Sequence, residues 1–128
     1  MGLFDKLFKK QTTPTFEKVQ EEILTLQNQD RKIENPTRTD LDTYLNDMFV
    51  GVNEFVILTH AKAKNGVRYV QACLAGTKWI VQLGIEEGNA TRLVEKSCFT
   101  SKECVDIFYL FYEFGTVENL EEYVPVQF

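Results

Sequence analysis

Apolar residues recur at helical spacing in three stretches of the chain, and each stretch predicts an amphipathic helix. The first runs from about 14 to 32, ends before Asn35-Pro36, and is apolar at Phe16, Val19, Ile23 and Leu26. The second begins at Thr39, ends at Gly51, and is apolar at Leu41, Tyr44, Leu45, Met48 and Phe49. The third has a capping box, Thr100-Ser101-Lys102-Glu103, and ends at Gly115. Because this third helix is apolar nearly all round, we expect it at the centre of the core or beneath a partner.

Alternating polar and apolar residues between the second and third helices predict four strands, at 54–60, 67–75, 78–85 and 91–98. The third strand alternates most cleanly, with its core-facing set at Trp79, Val81, Leu83 and Ile85. The fourth is more charged, so we expect it at an edge. The order α-α-β-β-β-β-α predicts a single α+β domain over residues 14–128. In it, helices pack on one face of a four-stranded antiparallel meander.

Residues 1–13 form an N-terminal amphipathic arm and linker in this interpretation. Leu3, Phe4, Leu7 and Phe8 lie at helical spacing among lysines. We expect a mobile arm, docking on the domain, or weak peripheral contact with an anionic membrane. Lys6 stands where an N-myristoylation motif has Ser or Thr. Without a membrane-spanning apolar run or a secretory leader, a cytoplasmic location is expected.

Composition and charge narrow the classes of partner. The chain of 128 residues is 44% hydrophobic, which argues against disorder, and its net charge is −5. Residues 103–128 hold six acids and no base, whereas residues 55–102 hold three acids and seven bases. An acidic chain is a poor match for phosphates, so no nucleic-acid partner is expected. We expect four bases of the sheet to balance the acidic helices within one fold: Arg68, Lys78, Arg92 and Lys96.

Few residues in this chain are suited to catalysis or metal binding. His60 is the only histidine, and no motif of a nucleophile with its base accompanies it. The three cysteines, Cys73, Cys98 and Cys104, form no CxxC pair and are expected to be structural thiols. We therefore expect no catalytic residue, no metal site and no cofactor.

A mixture of aromatic and acidic residues around the third helix and the tail predicts a partner-binding surface. Aromatic side chains are frequent interface anchors, and an acidic surface attracts basic partners. The candidate residues are Tyr109, Tyr112, Glu113, Glu118, Glu121, Glu122 and Tyr123. Self-association through the third helix is the alternative use of the same apolar surface.

The element order over residues 37–128, with the strand EFVILTH and the capped helix TSKECVDIFYLFYEFG, resembles that of small cytoplasmic immunity proteins of bacterial toxin systems. The resemblance implies a non-enzymatic bacterial protein that occludes a basic toxin or effector through an acidic, aromatic surface. Two alternatives remain open. One is an acidic secretion-type chaperone or adaptor. The other is a small ligand-binding or enzymatic domain with a pocket between sheet and helices.

Overall fold

The computed structural model describes residues 23–61 and 66–126, which form one antiparallel sheet and two α-helices. In chain order the elements are β1 (Leu24–Gln27), β2 (Lys32–Glu34), α1 (Arg38–Phe49), β3 (Phe55–His60), β4 (Val67–Ala75), β5 (Lys78–Glu87), β6 (Ala90–Cys98), α2 (Ser101–Phe114), a 3-10 helix (Leu120–Glu122) and β7 (Val124–Pro125). The seven strands lie in the order β2-β1-β3-β4-β5-β6-β7. The α+β class is confirmed, but the four-stranded sheet and the α-α-β-β-β-β-α order are wrong in detail.

The prediction of a helix over 14–32 is wrong in its described part, where β1 and β2 form a hairpin. Leu26 pairs with Leu58 of β3 and with Ile33 of β2, and its side chain is fully buried. Asn28 closes the hairpin, because its Oδ1 accepts hydrogen bonds from the backbone N–H groups of Asp30 and Arg31. Pairing with β3 therefore outweighs the local helical spacing. Residues 14–22 lie outside the described residues, as does the predicted arm over 1–13.

The sheet also extends beyond the predicted fourth strand. β6 pairs with β7, matching Val94 to Pro125 and Glu95 to Val124, so β6 is not an edge. Proline has no N–H to donate, and sheets therefore tolerate it mainly on edge strands. Pro125 is on such a strand, because β7 is the last strand of the sheet. The other three predicted strands are confirmed within one or two residues of their ends.

Both helices begin with a capping box. Thr100 accepts a hydrogen bond from the backbone N–H of Glu103, as predicted, and Gly115 ends α2 in the left-handed conformation at φ 68°. α1 begins at Arg38, one residue earlier than predicted. Thr37 is its N-cap, and the Asp40 side chain completes the capping box. Each cap contributes roughly 1 kcal/mol by satisfying N–H groups that have no partner inside the helix.

The core lies between the helices and one face of the sheet, here called the inner face. Phe108 and Phe111 of α2 are fully buried there. The predicted core-facing set of β5 is confirmed, with Val81, Leu83 and Ile85 buried and Trp79 packed edge-on against Phe49 of α1, centroids 4.8 Å apart. Burying one such side chain contributes about 1.5–3 kcal/mol, so these contacts fix the helices on the inner face.

The opposite, outer face of the sheet contains one close contact between an aromatic ring and a glycine. Tyr69 pairs with Gly84, and a β-bulge at Arg68 sets this register. The Tyr69 ring lies across the glycine so closely that a Cβ on Gly84 would stand 2.2 Å from Tyr69 Cε2. Only glycine therefore fits under this ring.

We predict that Gly84→Ala lowers the free energy of unfolding by about 1–3 kcal/mol, because the Tyr69 ring must move to admit the methyl group. In a Tyr69→Ala background the same change should be neutral or slightly stabilising, since alanine restricts the unfolded chain. Urea unfolding of the four proteins checks this. Equal losses in both backgrounds would contradict the ring contact.

Candidate functional site

Helix α2 has a buried side and an exposed strip. Its buried residues are Cys104, Phe108 and Phe111, spaced as one helix face requires. Beside this buried face, Asp106, Leu110 and Phe114 recur every four residues; Leu110 is half-buried, and Phe114 is 59% exposed. A large apolar side chain thus remains exposed to solvent at the end of this helix.

The exposed strip lines a shallow cavity of about 400 Å³, which we call the α2 groove: Asp106, Tyr109, Leu110, Glu113, Phe114 and Glu118. Its floor is apolar, and three carboxylates stand around it. Of the seven predicted partner-binding residues, the structure brings Tyr109, Glu113 and Glu118 to this groove. Surfaces that bind other proteins commonly combine such an apolar centre with a polar rim.

Tyr109 forms one wall of the groove and is held by residues of α1. Its hydroxyl donates a short hydrogen bond to the Asp42 carboxylate, and this bond raises the pKa of Tyr109. The Arg38 guanidinium lies over the Tyr109 ring, 3.7 Å from its centroid, and also pairs with Glu113 at 3.2 Å. The ring is therefore fixed in place with a cation stacked on it.

The other four predicted partner-binding residues lie outside the α2 groove. Tyr112 donates its hydroxyl proton to the Pro36 carbonyl at 2.9 Å, so it joins α2 to the segment before α1. Tyr123 is buried, and burial raises its pKa. Glu121 and Glu122 lie on the 3-10 helix, where Glu122 pairs with Lys96 at 2.7 Å. The aromatic residues of the predicted set thus act largely inside the fold.

Negative charge at the groove is only partly neutralised. Lys102 pairs with Asp106 at 2.8 Å, but both side chains are more than half exposed. Within residues 23–61 and 66–126, no ion pair involves Glu118 or Glu121. Exposed pairs contribute little and exchange readily, so an incoming cation can compete for these carboxylates.

Asp106, Leu110 and Phe114 were missed as candidate site residues. The sequence does contain a signal for them, because the three positions lie four apart and so form a strip of their own, distinct from the buried set 104, 108 and 111. Treating the helix as apolar all round hid this strip.

The bases of the sheet contact groups within the fold. Arg68 pairs with Glu86 at 3.0 Å and Arg92 with Glu87 at 2.9 Å. Lys78 Nζ lies 5.0 Å from the ring centroid of Phe99. Both arginines thus pair with acids of the sheet itself. Of the four bases expected to balance the acidic helices, only Lys96 pairs, among the residues described, with an acid of a helical element, Glu122.

His60 and the three cysteines pack against other residues of the fold. The His60 ring packs edge-on against Phe111, centroids 5.7 Å apart, next to Gly115 at the end of α2. Cys98 and Cys104 are buried, and Cys73 is half-buried on the outer face. In the described part of the chain, no three potential ligands among His, Cys, Asp and Glu are grouped to hold a metal ion.

A second cavity, of about 350 Å³, lies on the outer face of the sheet between Glu54, Phe55, Ile57, Gln71, Ala72, Cys73, Ile80 and Gln82. A smaller one, of about 90 Å³, lies where α2 meets Lys96 and Tyr123. The two larger cavities thus lie on the outer face and on α2, and the smaller one lies between α2 and β6.

Neither described helix has the length and apolar character needed to cross a membrane. Comparisons of the chain with protein-family models, with curated proteins and with solved structures find no match.

We predict that Cys73 is the first thiol to be alkylated in the native protein. Burial raises the pKa of all three thiols, that of Cys104 to about 12, and Cys98 and Cys104 are also shielded from reagent. Mass spectrometry after brief iodoacetamide treatment checks the order, with urea-unfolded protein as the control in which all three react alike. Labelling of Cys104 before Cys73 would contradict the burial described.

Proposed function

We propose that this chain is a non-enzymatic cytosolic protein that binds a basic protein partner, in its sharpest form an immunity protein that occludes a toxin or effector. The α2 groove carries the proposal, because it places the exposed Phe114 among Asp106, Glu113 and Glu118. An apolar anchor surrounded by carboxylates suits a segment that presents an apolar residue beside lysine or arginine.

Arg38 indicates the contacts that a basic partner residue would make at the groove. Its guanidinium stacks on Tyr109 and bonds the Glu113 carboxylate, and about half of its side chain remains exposed. A partner arginine that displaces Arg38 or binds beside it would find the same ring and carboxylate. Tyr109 is already held by Asp42, so little side-chain entropy is lost when the partner binds.

The unpaired carboxylates favour rapid association with a cationic protein. Residues 101–126 hold six acids and one lysine, and Glu118 and Glu121 have no ion pair within the described residues. Such a local excess of negative charge speeds the encounter of oppositely charged proteins and loses its effect as salt rises. Rapid capture is what protection against a toxin requires.

Occlusion is the mechanism that fits this arrangement. A bound basic segment would lie over α2, and the body of the chain would exclude substrate from the partner's surface. A secretion-type chaperone or adaptor could use the same groove to hold a basic effector, so the identity of the captured partner distinguishes these two roles. No nucleic-acid partner is proposed.

We predict that Phe114→Ser abolishes capture of a basic partner from the source cell's lysate, whereas Arg38→Ala strengthens it. Serine removes the apolar anchor, and loss of Arg38 frees both the Tyr109 ring and Glu113 for the partner's cation. Affinity pull-down at low and high salt, with identification and quantification by mass spectrometry, measures both effects.

Arg92→Ala is the matched control for Arg38→Ala, because it changes the net charge equally, but Arg92 pairs with Glu87 of the sheet and does not line the groove. It should leave capture close to that of the unmodified chain. Equal capture by the chain with and without Phe114→Ser would contradict binding at the α2 groove. If Arg38→Ala and Arg92→Ala strengthened capture equally, the binding would depend on net charge alone.

A further inference from the structure

The outer face of the sheet is apolar at its centre although no described helix covers it. In β3, Val56 and Leu58 face the core, while Phe55 and Ile57 alternate with them on the outer face. Ile80 of β5 lies on the same outer face, opposite Cys73. A sheet that is solvated on one face normally has polar residues there, so these side chains mark a surface suited to a ligand.

These three apolar side chains surround a defined cavity rather than a flat patch. Its volume of about 350 Å³ falls in the range of small-molecule sites, although it is open to solvent. Phe55, Ile57 and Ile80 supply apolar walls, and Gln71 and Gln82 supply amides. The occupant that fits is a small molecule with an apolar body and a polar group.

A chain of side-chain hydrogen bonds fixes the orientation of the amides. Glu95 can only accept, so Gln82 turns its Nε2 to Glu95 at 3.0 Å and its Oε1 to Gln71. Gln71 Nε2 donates to that oxygen at 2.6 Å, which leaves Gln71 Oε1 on the side away from Gln82. Within the described residues this oxygen has no donor, so it is placed to accept a hydrogen bond from a ligand.

The charges at the cavity also favour a ligand whose hydrogen-bond donor is positively charged. Glu54 lines the cavity, and no ion pair involves Glu54 or Glu95 among the residues that the structure describes. Lys78 of the same face lies over the Phe99 ring, and Lys32 is on β2, two strands from Ile57. No base lines the cavity, so a cationic group is attracted and an anionic one is repelled.

We propose that the outer-face cavity binds a small amphipathic amine. Its apolar body would pack against Phe55, Ile57 and Ile80, and its ammonium group would donate to Gln71 Oε1 and face Glu54. This site is separate from the α2 groove, on the other side of the sheet, so it stands or falls independently of the partner proposed above.

The test is an NMR titration of the full chain with tryptamine, using indole-3-propionate as the matched anion with the same aromatic body. We expect tryptamine to shift the Ile57 and Ile80 methyl signals and the Gln71 side-chain amide, and to bind at least about tenfold more tightly than the anion. Gln71→Leu should weaken tryptamine binding about tenfold because it removes the acceptor.

Substitutions of exposed residues keep the test valid if Gln71→Leu alters the fold. Glu54→Gln should weaken tryptamine binding by up to about fivefold, the range for an exposed charge pair. Glu34→Gln, an exposed acid of the same face on β2, should leave binding unchanged. Equal loss in both variants would attribute binding to general acidity and overturn the proposal.

Other outcomes would identify a different occupant and overturn it as well. Signals of Ile57 that shift with protein concentration alone would point to a second copy of the chain. Nuclear Overhauser contacts from Phe4 or Phe8 to Ile57 in the free protein would point to the chain's own N-terminal segment. Equal affinity for amine and anion, shifts confined to α2, or no shift at about 1 mM tryptamine, the weak end of binding, would exclude an amine site.

Discussion

Phe108 and Phe111 bury their rings against the inner face of the sheet, and this contact sets the rotation of α2 about its own axis. Because an α-helix has 3.6 residues per turn, fixing the directions of Phe108 and Phe111 also fixes the direction of every other side chain on α2. Tyr109 and Tyr112 are brought to α1 and its preceding segment, where Asp42 and Pro36 accept their hydroxyl protons. Asp106, Leu110 and Phe114 are left on the solvent side, and the candidate groove follows from that.

Elements whose structure depends on local chemistry were predictable from the sequence. The capping box at Thr100 and the left-handed Gly115 fix both ends of α2 with groups that lie within a few residues of each other. The strands β3 to β5 were predictable because alternation distinguishes the inner set, such as Val81 and Leu83, from its neighbours. These features need no knowledge of the rest of the chain.

Elements whose structure depends on distant partners were not predictable in this way. Leu26 fits a helical spacing with Ile23 as well as a strand alternation with Leu24, and pairing with β3 decides between them. β7 is only two residues long and includes Pro125, so nothing local identifies it as a strand. The candidate site has the same limitation: a sequence shows that Tyr123 is aromatic, but only the packing shows that it is buried.

The two sides of the molecule have different surfaces because both helices pack on the inner face. α2 offers an exposed aromatic ring within an acidic rim, which suits a basic protein. The outer face offers an apolar cavity with an oriented amide, which suits a small donor. Among residues 23–61 and 66–126, both surfaces are open to solvent.

Binding of a partner at the α2 groove requires that the exposed strip of α2 is free in the isolated protein. Sedimentation velocity over a range of concentrations, on the unmodified chain and on Phe114→Ser, measures whether it is. We expect both proteins to sediment with the mass of one chain. A dimer of the unmodified chain that Phe114→Ser dissociates would show instead that the groove is the interface between two copies.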